Sequence, residues 1–198
     1  MNKFKESSSL FKLLLVLSIS VLLFGCNKQS NYRVLLKNPS QLQSRLQACS
    51  LTQSRMQTKS CQEAKAAQQA ITSFIIVRNE QLLRFPGVQE TLTNYQKLEK
   101  RAATTANKSL RKKIKADLIN ANLYYQSVGE NYGKKVMASE LALSQYKNKY
   151  KQLRQLISSD KSTAQQQAQL RQVKQKIVQT QQLTEAMLTL VHLNSGSQ

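Results

Sequence analysis

The chain has 198 residues with 30 basic against 10 acidic side chains, a formal charge of +20, and 40% hydrophobic but only 6% aromatic residues. His192, the one histidine, lies far from the single pair Cys49 and Cys61, which makes a zinc site a poor alternative, and two Pro in the whole chain, with no convincing period-two alternation, argue against a loop-rich or β architecture. A positive field of this size implies an acidic partner: anionic lipid, lipopolysaccharide, cell-wall polymer, acidic protein or nucleic acid.

Lys3, Lys5 and Lys12 form a basic leader to the apolar run Leu13 to Phe24, which only Ser18 and Ser20 interrupt. The run is about a dozen residues, against the roughly twenty that a bilayer-spanning helix needs, so residues 1–25 read as a cleavable export signal. It ends in Leu23-Phe24-Gly25-Cys26, which resembles the lipobox of bacterial lipoproteins. The resemblance implies cleavage before Cys26, diacylglycerol on its thiol and acylation of the new amino terminus. Each buried methylene of such an anchor adds about 0.8 kcal/mol. Asn27 stands where Asp marks inner-membrane retention in enterobacterial lipoproteins, so the resemblance favours the outer membrane, facing the periplasm. Without the three lysines and one glutamate of residues 1–25, 27 basic and 9 acidic side chains remain, a charge of +18. Export places nucleic acid low among the partners.

Residues 26–37 are expected to be a lipidated tether, polar and extended to residue 33. Asn38-Pro39 combines an N-cap residue with proline at the first helical position. Leu42, Leu46 and Cys49 keep helical spacing behind it, with Leu35 and Leu36 as staple partners. Residues 50–60 are polar and aperiodic, and a second helix is expected from Ser60 to Phe85, with Ala64, Ala67, Ile71, Phe74, Ile75, Arg78 and Leu82 along or beside one face. In an oxidising compartment the even pair Cys49 and Cys61 reads as a disulfide, within one chain or between two. Closing so short a loop stabilises by about 3 kcal/mol in the chain-entropy description. Residues 38–85 therefore read as a disulfide-pinned helical hairpin.

Pro86-Gly87 is the clearest break. From there to residue 193 long basic helices are expected. Val88, Leu92, Tyr95, Ala102, Ala106, Leu110, Ile114, Leu118, Ala121, Tyr125 and Val128 advance by three or four. Gly129 and Gly133 suggest a second break. Leu143, Tyr146, Tyr150, Leu153 and Ile157 form a heptad seam, and Ser158-Ser159-Asp160 supplies a turn. The last helix carries Leu170, Val173, Ile177, Met187 and Val191, with Thr180 and Thr184 as weak points. The stripes are narrow and the other faces rich in Gln and Lys. The expected fold is all-α: elongated hairpins, a thin bundle or a coiled coil, with one disulfide.

Tyr32, Leu36, Asn38-Pro39, Leu42, Leu46 and Cys49, followed by Cys61 and Ala64, resemble the EexN-like entry-exclusion lipoproteins of conjugative type IV secretion systems. In that family a lipobox precedes a Tyr, an Asn-Pro helix start, a Leu-x-x-Cys and a second cysteine before an Ala-containing helix. Gln62 stands where the family usually has Asn, and residues from about 80 onward have no counterpart. The resemblance implies a recipient-side lipoprotein that blocks redundant transfer by engaging an envelope or secretion-system protein.

Lys100, Arg101, Lys108, Arg111, Lys112, Lys113 and Lys115 are the candidate polyanion-binding residues, joined by Lys97. Residues 100–115 hold seven basic side chains and no acid. Lys147, Lys149, Lys151 and Arg154 crowd a second helix. Such clusters suit the phosphates of lipid, lipopolysaccharide or nucleic acid, although no interleaved aromatics suggest base stacking. Nothing indicates an enzyme or a cofactor. His192 stands alone, the glutamates are scattered rather than paired for acid–base work, and no glycine-rich elbow accompanies the serines. The rival reading is a structural envelope lipoprotein, or a secretion-system accessory, that binds lipopolysaccharide or peptidoglycan.

Overall fold

The computed structural model describes residues 31–157 and 163–195. The expected export signal, Cys26 and the turn expected at Ser158-Ser159-Asp160 lie outside these residues. The described residues are helical and contain no strand: α1 (Asn31–Lys37), α2 (Pro39–Ser50), α3 (Gln53–Met56), α4 (Lys59–Arg84), α5 (Val88–Thr93), α6 (Tyr95–Thr104), α7 (Lys108–Ile157) and α8 (Ala164–Ser195).

α7 is the spine. Its 50 residues extend about 75 Å at 1.5 Å per residue. α4 lies antiparallel to its middle, because the Tyr132 hydroxyl donates to the Ala70 carbonyl at 3.1 Å and the Ser127 hydroxyl to Gln81 Oε1 at 2.6 Å. α8 returns antiparallel along the rest. Ser139 and Thr184 share a hydroxyl hydrogen bond of 2.7 Å, and Lys176 Nζ sits 5.5 Å from the centre of the Tyr146 ring. The core forms where α4, the middle of α7 and the carboxyl half of α8 meet, with α1 and α2 packed on them. Beyond it, at one end, α7 pairs with the amino half of α8; at the other, α5 and α6 fold back along the start of α7. The described residues form a rod with a thick middle and two thin helical ends.

Several expectations change in detail. Residues 31–37, assigned to the tether, form α1, with Tyr32 and Leu35 buried. A seven-residue helix does not hold alone in water; burial against α4 and α8 holds it. Asn38 does not cap α2 with its side chain. Its backbone N–H and its Nδ2 both donate to the Val34 carbonyl, at 3.1 and 3.0 Å, so it closes α1. Pro39 disfavours helical backbone at the preceding residue, and Asn38 accordingly breaks the two helices at φ −123° and ψ 82°.

α4 starts one residue early, at Lys59, with Thr58 Oγ1 accepting from the Cys61 N–H at 3.4 Å. Its most buried residues are Glu63, Ala64, Ala66, Ala67, Ala70, Val77 and Gln81. Ile75, placed on the inner face by periodicity, is 46% exposed, and Arg78 is exposed. Partners on two sides widen and rotate the buried stripe, and small alanines let the helices approach. Gly87 adopts φ +78°, a left-handed turn that glycine takes without steric cost.

The expected break at Gly129 and Gly133 is absent, since α7 runs through both. Tyr124, Val128, Tyr132 and Val136 are buried on either side of the glycines, and that packing outweighs the roughly 1 kcal/mol each glycine costs a helix interior. The breaks fall instead at Asn94, between α5 and α6, and at residues 105–107, between α6 and α7. Tyr124 takes the core place expected for Tyr125, which is 53% exposed, and Ala106 is exposed. Of the α7–α8 seam, Leu143, Tyr146, Tyr150, Leu153 and Ile157 are half-buried against an opposite row that includes Leu170, Val173 and Ile177. Thr184 is no weak point: it is buried, bonded to Ser139, and donates to the Thr180 carbonyl at 2.9 Å.

Candidate functional site

Cys49 closes the last turn of α2 and Cys61 opens α4. Both are buried, and a disulfide joins them across 5.6 Å between Cα atoms. The pairing lies within one chain. Between them, residues 50–60 are exposed and include the single-turn α3. The disulfide therefore clamps a wholly solvated segment at a buried base.

The other residues of the entry-exclusion resemblance are scaffold. Tyr32, Leu42 and Ala64 are core residues, and Leu36 and Leu46 pack against that core. Tyr32 is 4% exposed, and its hydroxyl has no hydrogen-bond partner among the described residues. Burial chiefly, then the nearby carboxylates of Glu185 and Glu63, push the phenol well above its ordinary pKa. Glu63 is itself buried, accepts from Asn31 Nδ2 at 3.0 Å and lies 4.0 Å from Lys59 Nζ. This knot of α1, α4 and α8 fixes where the chain that follows Cys26 joins the body. Burial likewise raises Tyr132 and Tyr124; at Tyr124 the Arg78 guanidinium opposes the rise.

The polyanion-binding candidates gather at one end of the rod. Lys97, Lys100 and Arg101 lie on α6, and Lys108, Arg111, Lys112, Lys113 and Lys115 on the first turns of α7. Ala102 and Ile114 are buried between the two helices. Seven of the eight side chains are exposed; Arg111 is half-buried and donates from Nε and Nη2 to the Thr105 carbonyl, tying down the 105–107 loop. No carboxylate among the described residues pairs with any of the eight, the ion pair present being Lys59 with Glu63.

The second basic group lies at the opposite end. Lys147, Lys149, Lys151 and Arg154 on α7 are joined by Arg171, Lys174 and Lys176 on α8, all exposed. Sequence reading missed the α8 contribution, because only the antiparallel pairing brings residues 171–176 beside 147–154. Across the described residues 141–157 and 163–184 there are seven basic side chains and no acidic one.

An open groove of about 450 Å³ runs between α3, α4 and α8, lined mainly by glutamine amides with Lys65 as its one charged side chain. Amides donate and accept hydrogen bonds but do not titrate, so the groove suits contact rather than proton transfer. No polar periodicity announced it. His192 is exposed beside Arg33, Lys37 and Leu190 where α8 ends against α1. Among the described residues no group of His, Cys, Asp and Glu is placed to hold a metal ion, and no helix is long and apolar enough to cross a membrane. Compared with known proteins, the chain matches no family profile, no curated sequence and no solved structure.

Proposed function

We propose that this chain is a lipid-anchored envelope protein, facing the periplasm from the outer membrane, that acts by protein contact and excludes redundant conjugative transfer. The observation that carries the reading is a coincidence of sequence and fold. The Leu23-Phe24-Gly25-Cys26 motif is followed directly by residues resembling EexN-like proteins, and those residues assemble into one unit of α1, α2 and α4. That unit is a rigid base rather than a contact surface. The partner is then met by what the base leaves exposed: the solvated segment under the disulfide, the amide groove and the basic ends. No catalytic step enters this reading.

Two experiments test it. Labelling cells with a clickable palmitate analogue should mark the wild-type protein in the outer-membrane fraction and leave Cys26→Ala unmarked. Deleting the gene should raise the frequency with which cells accept their own conjugative element; an unchanged frequency would sink entry exclusion while leaving the anchor standing.

The unpaired basic residues favour a second reading, a structural or accessory envelope lipoprotein that holds lipopolysaccharide or peptidoglycan. Salt-sensitive co-sedimentation with sacculi or purified lipopolysaccharide would support it, and no binding at low salt would count against it.

A further inference from the structure

The anchor and the rod constrain one another. The inference rests on lipidation of Cys26, and its starting point is where α1 sits. Asn31 bonds Glu63, and Tyr32 lies near both Glu63 and Glu185. Glu185 follows Thr184, which is bonded to Ser139 on the spine. The chain therefore joins the body level with about residue 139 of α7, neither at its start nor at its end. At 1.5 Å per residue, Ile157 lies about 27 Å away along the spine and Lys108 about 46 Å the other way.

From Asn31 back to Cys26 is five residues, which reach at most about 17 Å when fully extended. That is shorter than the rod on either side of the join. Standing upright on the membrane would drive the nearer end, the α7–α8 hairpin, about 10 Å below the level of the anchored cysteine, and the farther end nearly 30 Å. Neither end can enter hydrocarbon, because each is covered in lysine and arginine whose burial in lipid is costly. The rod must incline toward the membrane plane.

Charge then decides what the nearer end meets. Lys147, Lys151 and Arg154 follow helical i, i+4, i+7 spacing and share a face of α7, and Arg171, Lys174 and Lys176 come from the antiparallel α8. We infer that the α7–α8 hairpin is a docking surface for the anionic phosphate head groups of the same membrane that holds Cys26, so that the protein lies along the membrane instead of projecting from it. The short tether holds the hairpin within reach of the surface, and its large excess of basic over acidic side chains supplies the attraction. An envelope-spanning spacer is incompatible with this stance.

The test uses the full mature protein, purified with its acyl chains and confirmed as acylated by mass. Gln152→Cys, near the tip of α7, is labelled with a fluorophore, and the protein is reconstituted in vesicles carrying a head-group quencher. One vesicle set is phosphatidylcholine alone, and the other contains one third phosphatidylglycerol. Quenching should be strong in anionic vesicles, weak in neutral ones and reversed by high salt. Each of Lys147→Gln, Lys151→Gln, Arg154→Gln and Lys174→Gln should lower the docked-to-undocked ratio about fivefold, without altering flotation of the protein with the vesicles. Equal quenching in the two vesicle types, or quenching indifferent to the four substitutions, overturns the docking surface. A protein that carries no acyl mass and does not float overturns the anchor instead, so the two failures are distinguishable.

Discussion

Three buried tyrosines in one core set up a test in which the same substitution changes sign. Tyr132 and Tyr32 are 2% and 4% exposed, and each loses only a hydroxyl on mutation to Phe. At Tyr132 the hydroxyl donates to the Ala70 carbonyl at 3.1 Å, and the ring packs edge-on to Phe74 at 5.2 Å. Tyr132→Phe keeps the ring contact and removes one buried hydrogen bond, worth about 1 kcal/mol net. The Ala70 carbonyl also sits within α4, so losing the donor does not orphan it. At Tyr32 the hydroxyl has no partner and faces two carboxylates. Tyr32→Phe removes an unsatisfied polar group whose burial costs about 1–3 kcal/mol, so stability should rise by roughly 1 kcal/mol. Tyr124, whose hydroxyl is buried beside the Arg78 guanidinium, should change least. The assay is urea unfolding followed by far-UV circular dichroism, reading the midpoint at constant slope. A Tyr132→Phe protein as stable as Tyr32→Phe, or both shifted the same way, would refute the hydrogen-bond accounting of this core.

The raised phenols make stability depend on alkali. Unfolded tyrosine ionises near pH 10, whereas burial keeps Tyr32 and Tyr132 neutral beyond it. Their contribution is complete below pH 10 and is lost as pH rises above it, so unfolding midpoints should fall there and fall less in the Tyr32→Phe/Tyr132→Phe double variant. Reducing the Cys49–Cys61 bond, whose residues are 12 apart in sequence, should cost about 3 kcal/mol; urea midpoints that do not move with dithiothreitol would contradict this. Gly129→Ala and Gly133→Ala should each stabilise by about 0.5–1 kcal/mol, because an added Cβ meets nothing within 4 Å at either position. Thermal melts would show it as a rise of about 2–4 °C per kcal/mol.

Much of the organisation is local and was therefore legible. The start of α2 at Pro39, the turn at Pro86-Gly87 and the α7–α8 seam follow from proline's locked φ, glycine's freedom and heptad spacing. The first basic cluster was equally visible, because its residues crowd two neighbouring segments. The second was half visible, since Arg171, Lys174 and Lys176 join Lys147 to Arg154 only through antiparallel pairing. The glutamine groove left no mark, because its walls come from segments more than a hundred residues apart.

By itself, the sequence determined an all-helical chain, two cysteines at a spacing that a short closed loop can join, and a basic surface. Those properties depend on backbone preference, residue spacing and charge, which each segment carries with it. Only the tertiary structure decided that residues 31–37 are helical, that α7 passes unbroken through Gly129 and Gly133, and that the polypeptide joins the rod partway along its length. Each depends on burial supplied by another helix: Tyr32 and Leu35 by α4 and α8, the glycine segment by Tyr124, Val128, Tyr132 and Val136. Burial energy belongs to pairs of surfaces, and no single segment states which surface will meet it.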